Sequence, residues 1–211
     1  HQVGYIENVQ SIDMSSIESQ KVYYNIDTGL DNFKIQRNNK SDDLVYVKSF
    51  YRKNHNLRLE QDKDRIDIRK MSNNDRFYFY MFEENHDSLD ILLDDSINSE
   101  IELDYGLSQA HIELKGLNVD NLYADFGLSD TFIYFDNNIN ATINCGLSNL
   151  DMYFPANKSV AIKVDGGAVD LNLEGFKKIN GIYYNKYEES PQINVKIEAG
   201  LSSINGGIYN E

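Results

Sequence analysis

Apolar and polar positions alternate along most of this chain, and one recurring phrase interrupts the alternation. The stretches "IELDYGLSQAHIEL" (101–114), "LYADFGLSDTFIYF" (122–135) and "TINCGLSNLDMYF" (142–154) share the pattern on both sides of Gly-Leu-Ser. Successive side chains of a strand point to opposite faces, so each copy predicts two short strands joined at the phrase. Gly106 and Gly127 are 21 residues apart, and Gly127 and Gly146 are 19 apart. A fourth copy, "IKVDGGAVDLNL" (162–173), fits with Asp165–Gly167 in place of the phrase, and a fifth, "VKIEAGLSSINGGI" (195–208), follows an insertion. "YNIDTGLDNFKI" (24–35) is an early, degenerate copy. A period near 20 with a strand on each side of a glycine is the signature of a repeat architecture.

The alternation assigns the faces. One inward column reads Leu103, Ala124, Ile143, Ile162, Ile197, and the next reads Tyr105, Phe126, Cys145, Val164, Ala199. Beyond the phrase the columns read Ile112, Ile133, Met152, Leu171 and then Leu114, Phe135, Phe154, Leu173. Cys145 is thereby expected to be a buried, small hydrophobe. The glycine is expected to take φ > 0, which costs it little. The leucine is expected to plug the corner and the serine to bond neighbouring backbone. The phrase reads as a bend between two sheets, with a hairpin at each copy as the competing reading.

Less regular strands are predicted in "DLVYVKSF" (43–50), "HNLRLEQ" (55–61), "DRIDIRK" (64–70), "RFYFYMF" (76–82) and "SLDILL" (88–93), and "SIDMSSIESQ" (11–20) is the one weak helix candidate. The expected fold is all-β: a stacked two-sheet β-repeat, solenoid-like, with rungs of about 20 residues turning at Gly-Leu-Ser. Residues 1–20 are expected as a leader segment, and 21–211 as one β-repeat domain with an insertion at 177–192.

Charge narrows the partners. Lys+Arg number 20 against Asp+Glu 34, a formal net charge of -14. Such a surface repels phosphate backbones, and no basic stripe offsets it, so nucleic acid is not an expected partner. The single cysteine excludes an intrachain disulfide. No apolar run approaches the roughly 20 residues that span a bilayer. "HQVGYIENVQ" lacks the basic start and apolar stretch of a signal peptide. Any membrane link is therefore expected through a segment absent from this chain.

In content and order these pieces resemble the toast-rack family, the β-repeat domain of cell-wall-active antibiotic response proteins and adhesin-like proteins of bacterial envelopes. The resemblance covers roughly residues 20–211. It rests on "YNIDTGLDNFKI", "IELDYGLSQAHIELKGLNVDNLYADFGLSDTFIYF", "MYFPANKSVAIKVDGGAVDLNLEGF" and "INVKIEAGLSSINGG", with "KKINGIYYNKYEESPQ" inserted before the last rung. Asp165–Gly166–Gly167 departs from the phrase in the fourth rung. The resemblance implies a membrane-anchored setting at the cell envelope, in sensing or adhesion, and no catalytic residues.

Candidate chemistry is sparse. Ser108, Ser129, Ser148 and Ser202 are equivalent to one another, which suits a repeated hydrogen bond better than one activated nucleophile. His111 lies in an outward column and is the histidine best placed to approach one of them. Asp104, Asp125, Asn144 and Lys163, with Glu198 beyond, form a column read as a solvated face whose repulsion Asn144 and Lys163 relieve. A calcium ladder is the competing reading. Glu83, Glu84, His86, Asp87, Asp90, Asp94 and Asp95 read as a charged connector, without EF-hand or H-E-x-x-H spacing. The four histidines, His1, His55, His86 and His111, are scattered, and neither a metal nor a cofactor is expected.

Outward aromatics include Tyr134, Tyr153, Tyr183, Tyr184 and Tyr187, and the insertion holds the last three. Long loops on rigid scaffolds carry recognition, so Tyr183, Tyr184 and Tyr187 are the expected partner-binding residues. The function expected is a non-enzymatic, extracytoplasmic envelope domain that binds an envelope protein or glycan, in stress sensing or adhesion. The alternative is a polysaccharide-active lyase or glycosidase, which needs paired carboxylates in a groove.

Overall fold

Each repeat buries one side of two strands, and the buried sides face each other across two stacked sheets. The computed structural model describes residues 4–52, 55–72 and 87–210; the strand expected at 76–82 lies outside them. The segment expected as a leader contains β1 (Tyr5–Asp13), which pairs antiparallel with β4 (Asp43–Arg52). The helix candidate at 11–20 reduces to one 3₁₀ turn, Met14–Ser16, where Asp13 accepts a hydrogen bond from the Ser15 N–H at 2.7 Å. β2 (Lys21–Gly29) and β3 (Asn32–Arg37) form the earliest repeat. β5 (His55–Asp62), β6 (Arg65–Ser72) and β7 (Ser88–Leu93) follow β4.

The regular repeats are β8 (Asn98–Tyr105) with β9 (Ser108–Glu113), β10 (Val119–Phe126) with β11 (Ser129–Tyr134), and β12 (Ile139–Cys145) with β13 (Ser148–Pro155). Next come β14 (Val160–Gly166) with β15 (Val169–Leu173). The short hairpin β16 (Lys177–Ile179) and β17 (Ile182–Tyr184) precedes the last repeat, β18 (Ile193–Ala199) with β19 (Ser202–Tyr209).

The two strands of a repeat enter different sheets, and equivalent strands pair in parallel, which makes the phrase a solenoid corner and not a hairpin. One sheet runs β1-β4-β7-β3-β9-β11-β13-β19-β15, and the other β16-β17-β14-β18-β12-β10-β8-β2-β6-β5. Spatial order differs from chain order at one point that matters. The last repeat, β18/β19, lies between β12/β13 and β14/β15. The insertion makes this possible: β17 pairs antiparallel with β14, and the chain then returns to lay β18 on its other side.

This order corrects all four expected columns, each at its member from β14 or β15. Ile143 faces Ile197, which faces Val164, so Ile162 sits two residues away from its expected place. Likewise Met152 faces Gly206, which faces Leu173 and not Leu171. A strand has a side-chain period of two, so a two-residue slip keeps every face right and leaves no trace in the alternation.

The corner works differently from the expectation. None of Gly106, Gly127, Gly146 or Gly200 has positive φ; only the degenerate copy does, with Gly29 at 61°. Gly146, Gly166 and Gly200 need room, and Gly127 does not. A Cβ on Gly146 would lie 3.2 Å from the Gly127 carbonyl oxygen in the rung before, and one on Gly166 would lie 2.2 Å from that of Ala199. The leucine does not plug the corner either: Leu107, Leu128, Leu147 and Leu201 are exposed. All four serines are buried, but only two bond neighbouring backbone as expected; Ser129 Oγ lies 3.0 Å from the Thr131 hydroxyl instead, and Ser108 Oγ has no hydrogen-bond partner among the described residues. Ser148 Oγ donates to the Gly127 carbonyl at 2.5 Å and Ser202 Oγ to that of Gly146 at 2.6 Å, so each ties its rung to the one before.

Between the sheets the columns are apolar and stacked. Tyr105 lies on Phe126 and Phe135 on Phe154, each pair with ring centroids 4.9 Å apart. Cys145 is buried in the first of these columns, and burial raises its thiol pKa, which keeps it a protonated hydrophobe.

The glycine contacts predict an ordered effect. Gly146→Ala should lower stability by about 1–3 kcal/mol, the usual result of overpacking a rigid contact. Gly127→Ala, whose Cβ would find its nearest atom at 3.9 Å, should stay within about 1 kcal/mol of the parent. Urea unfolding of the two variants separates close approach from backbone conformation as the reason for glycine.

Candidate functional site

Parallel stacking turns each outward position into a row. On the β8 side of the corner the row reads Asp27, Asp104, Asp125, Asn144, Glu198, Asp165. Lys163, expected within it, instead faces Lys196 one row away and reaches Asp165 at 3.0 Å. The reason is the same two-residue slip. From β2 to β14 the row therefore holds five carboxylates and one amide, with Arg69 of β6 facing Asp27 beyond its early end, and among the described residues no lysine or arginine pairs with Asp104 or Asp125. Partial burial raises the Asp104 pKa, and repulsion from Asp27, Asp125 and Glu102 adds to it.

Beside this row an open groove of about 560 Å³ is lined by Gly127 and Gly146, with Asp125, Asn144, Glu198 and Asp165 among its walls. Across the corner stands a second row, Leu107, Leu128, Leu147 and Leu201, which are 61%, 52%, 54% and 59% exposed. Leu30 stands at its head. An acidic row, a shallow trench and an apolar row thus run side by side along the stack. Among the described residues no group of three or more His, Cys, Asp or Glu is placed to hold a metal ion.

A second charged cluster lies inside the early end of the stack. Asn32 pairs with Ser88 and Phe33 with Ala110. Asp87 and Asp31 therefore continue the inward serine column that starts at Ser108. Both carboxylates are fully buried. Lys70 of β6 hydrogen-bonds Asp31 and reaches Asp87 at 3.2 Å, while His55 Nδ1 lies 2.7 Å from Asp87. Burial raises the Asp31 pKa and Lys70 opposes the rise. Asp87, expected on a charged connector, is thus a core residue; Glu83, Glu84 and His86 of that connector lie outside the described residues.

The insertion closes the late end of the other sheet. Asn185 accepts from the Val160 N–H at 2.9 Å and donates to Lys158 O at 2.8 Å, and Ser159 and Gln192 bond reciprocally. Tyr183 faces Ile162 and packs against the core, with the Lys178 ammonium 5.1 Å from its ring centre. Tyr184 meets Tyr187 edge-on at 5.1 Å, and Tyr187 is 60% exposed. Of the three expected contact residues, Tyr187 is the most open to a partner.

On the outer face of the first sheet Tyr134 stacks on Tyr153 at 4.6 Å and on His111 at 5.5 Å. The four corner serines point into the core from the opposite face of that sheet, so His111 and the serines are not brought together.

Two substitutions test these charges. Lys70→Met should cost about 3–5 kcal/mol, because it leaves two buried carboxylates without their cation. Asp104→Asn should stabilise by a few tenths of a kcal/mol, the scale of like charges facing across strands. The sign follows from the raised pKa: the folded state holds this proton more tightly than the unfolded chain, so ionisation opposes folding above the folded pKa. The advantage of Asp104→Asn should therefore shrink as pH falls through the carboxylate range, read from thermal midpoints at several pH values.

No curated protein sequence matches this chain. Among solved structures it superposes on a "putative cell adhesion protein" from Clostridium sporogenes ATCC 15579 with a TM-score of 0.78 and 22% identity, over 98% of this chain and 100% of that one. A "putative adhesin" from Bacteroides fragilis NCTC 9343 aligns over 97% of each chain at 9% identity and a TM-score of 0.37. The first likeness shows the fold. Residues 4–153 match the model of the N-terminal domain of toast_rack, DUF2154. That match covers well over half of the sequence, β1 through most of β13, and shows that the chain belongs to the toast-rack family.

Proposed function

We propose that this protein is a non-enzymatic, adhesin-like domain of the cell envelope, which holds a protein or glycan partner on its outer surface. The observation that carries this reading is the pair of outward rows, one acidic and one leucine, held in register by the stack. Side chains set on rigid, parallel rungs present a fixed pattern at little entropic cost, which favours recognition. The description of the Clostridium sporogenes protein as one of cell adhesion supports the same reading. Stress sensing would use such a surface to report occupancy.

The acidic side chains argue against the polysaccharide-active alternative. They stand side by side on one face of an open groove, whereas glycoside hydrolysis uses two carboxylates flanking one bond. Among the described residues no helix is long and apolar enough to cross a membrane.

The test is retention on envelopes. Beads carrying the domain should bind isolated bacterial cell-wall and envelope fractions above beads carrying an unrelated acidic β-domain, and incubation should release no reducing sugar. Release of sugar that scales with domain concentration would favour the enzyme; equal retention by both bead types would remove the adhesion reading.

A further inference from the structure

We propose that the leucine row and the acidic row beside it form one docking surface, and that its occupant is a cationic amphipathic helix of a partner protein. This rests on the partner-binding reading above and names the surface and the chemistry that it selects. Leu107, Leu128, Leu147 and Leu201 occupy consecutive rungs, since β8, β10, β12 and β18 are neighbours in one sheet and β9, β11, β13 and β19 in the other. Each is more than half exposed. Single exposed leucines need no explanation, but an unbroken row of them marks an interaction site.

Spacing selects the helix. Four leucines on parallel rungs span three steps of about 4.8 Å, or about 14 Å. Apolar residues one turn apart on a helix advance about 5.4 Å, so three turns cover about 16 Å and stay nearly in step. Same-face residues of an extended strand lying along the row advance about 6.7 Å, cover about 20 Å, and fall out of step by more than one rung.

Charge selects the sign and the side. The acidic row flanks the leucines on one side only, and Asp104 and Asp125 carry no ion-pair partner among the described residues. On the other side Asn32, Gln109, Asp130, Asn149 and Ser203 are nearly all neutral, and Asn149 bonds Asp130 at 2.8 Å. Between leucines and acids the glycine corners leave the trench lined by Gly127 and Gly146. Lysine or arginine on one flank of an apolar helix stripe fits this surface: the leucines meet the stripe, and the long basic side chains cross the trench to the carboxylates. A second copy of this chain, with a formal net charge of -14, offers no cationic flank to meet the acidic row, and an anionic lipid surface would be repelled by it.

The experiment uses fluorescence anisotropy with a labelled Leu/Lys peptide of about 18 residues, roughly five helical turns. Two controls go with it: a peptide of the same composition rearranged to destroy the stripe, and a Leu/Glu peptide that keeps it. The striped Leu/Lys peptide should bind best. Leu128→Ser/Leu147→Ser should weaken it by about tenfold or more, and Asp104→Asn/Asp125→Asn should both weaken it and flatten its salt dependence. All four positions face solvent, so thermal midpoints no lower than the parent's should accompany the losses.

Equal binding of the Leu/Glu or rearranged peptide, or binding unaffected by the leucine pair, overturns the proposal. So does a dimer in sedimentation that the leucine variant abolishes, or leucine-dependent binding to phosphatidylcholine vesicles. The envelope-retention assay separates the two readings. If Leu128→Ser/Leu147→Ser is still retained on envelopes, this surface is wrong and the adhesion reading stands; if the parent protein is not retained, the adhesion reading fails whatever the peptides do.

Discussion

The close approach of one corner backbone to the next governs the rest of this structure. The Gly127 carbonyl stands where a Cβ on Gly146 would come within 3.2 Å of it, and the Ser148 hydroxyl bonds that same carbonyl from inside. A rung that meets its neighbour this tightly has one register. Once the register is set at the corner, parallel pairing carries it outward along both strands, and every position becomes a row. Inside the stack the rows are apolar and aromatic. Outside they are whatever the repeat writes, and here it writes leucine after the glycine and acid two residues before it.

Rows of identical residues have different consequences in water and in the core. Along the outer face, five carboxylates share one row at the spacing of adjacent strands, and solvent screens most of their repulsion. The partly buried Asp104 shows what remains, since its proton is held more tightly than in an ordinary aspartate. In the interior no such screening exists. There the serine column becomes Asp31 and Asp87 at the early end, and the chain supplies Lys70 from β6 between them. Acids are tolerated in a row where water reaches them and need an explicit cation where it does not.

The insertion belongs to the architecture as much as to the surface. By pairing β17 on β14 it gives that strand a partner on the side away from β18, and the Asn185 and Gln192 side chains fasten it to the turn before β14. After this excursion the chain lays its last repeat between two earlier ones. Tyr183 is consumed by that role, packing inward, while Tyr187 remains at the surface. Aromatic enrichment in a loop thus reflects both capping and display, and only the pairing partner of each tyrosine tells which.

How much was legible in the chain follows from the period of a strand. Alternation around Gly-Leu-Ser determined that the protein is all-β, that two strands meet at each corner, and which residues face inward; Tyr105, Phe126 and Cys145 lie where the pattern puts them. Those are local properties, written within about ten residues of each glycine. The pattern is blind to a slip of two residues, so it placed Lys163 in the acidic row when Asp165 belongs there. It is equally blind to the order in which rungs stack, so it could not insert β18 between β12 and β14. Nor does alternation distinguish a glycine required by φ from one required by a neighbour's carbonyl, because both are the absence of a side chain. The acidic row, the exposed leucine row and the buried Lys70 cluster exist only once rungs distant in sequence lie side by side, and that adjacency is what tertiary structure alone decides.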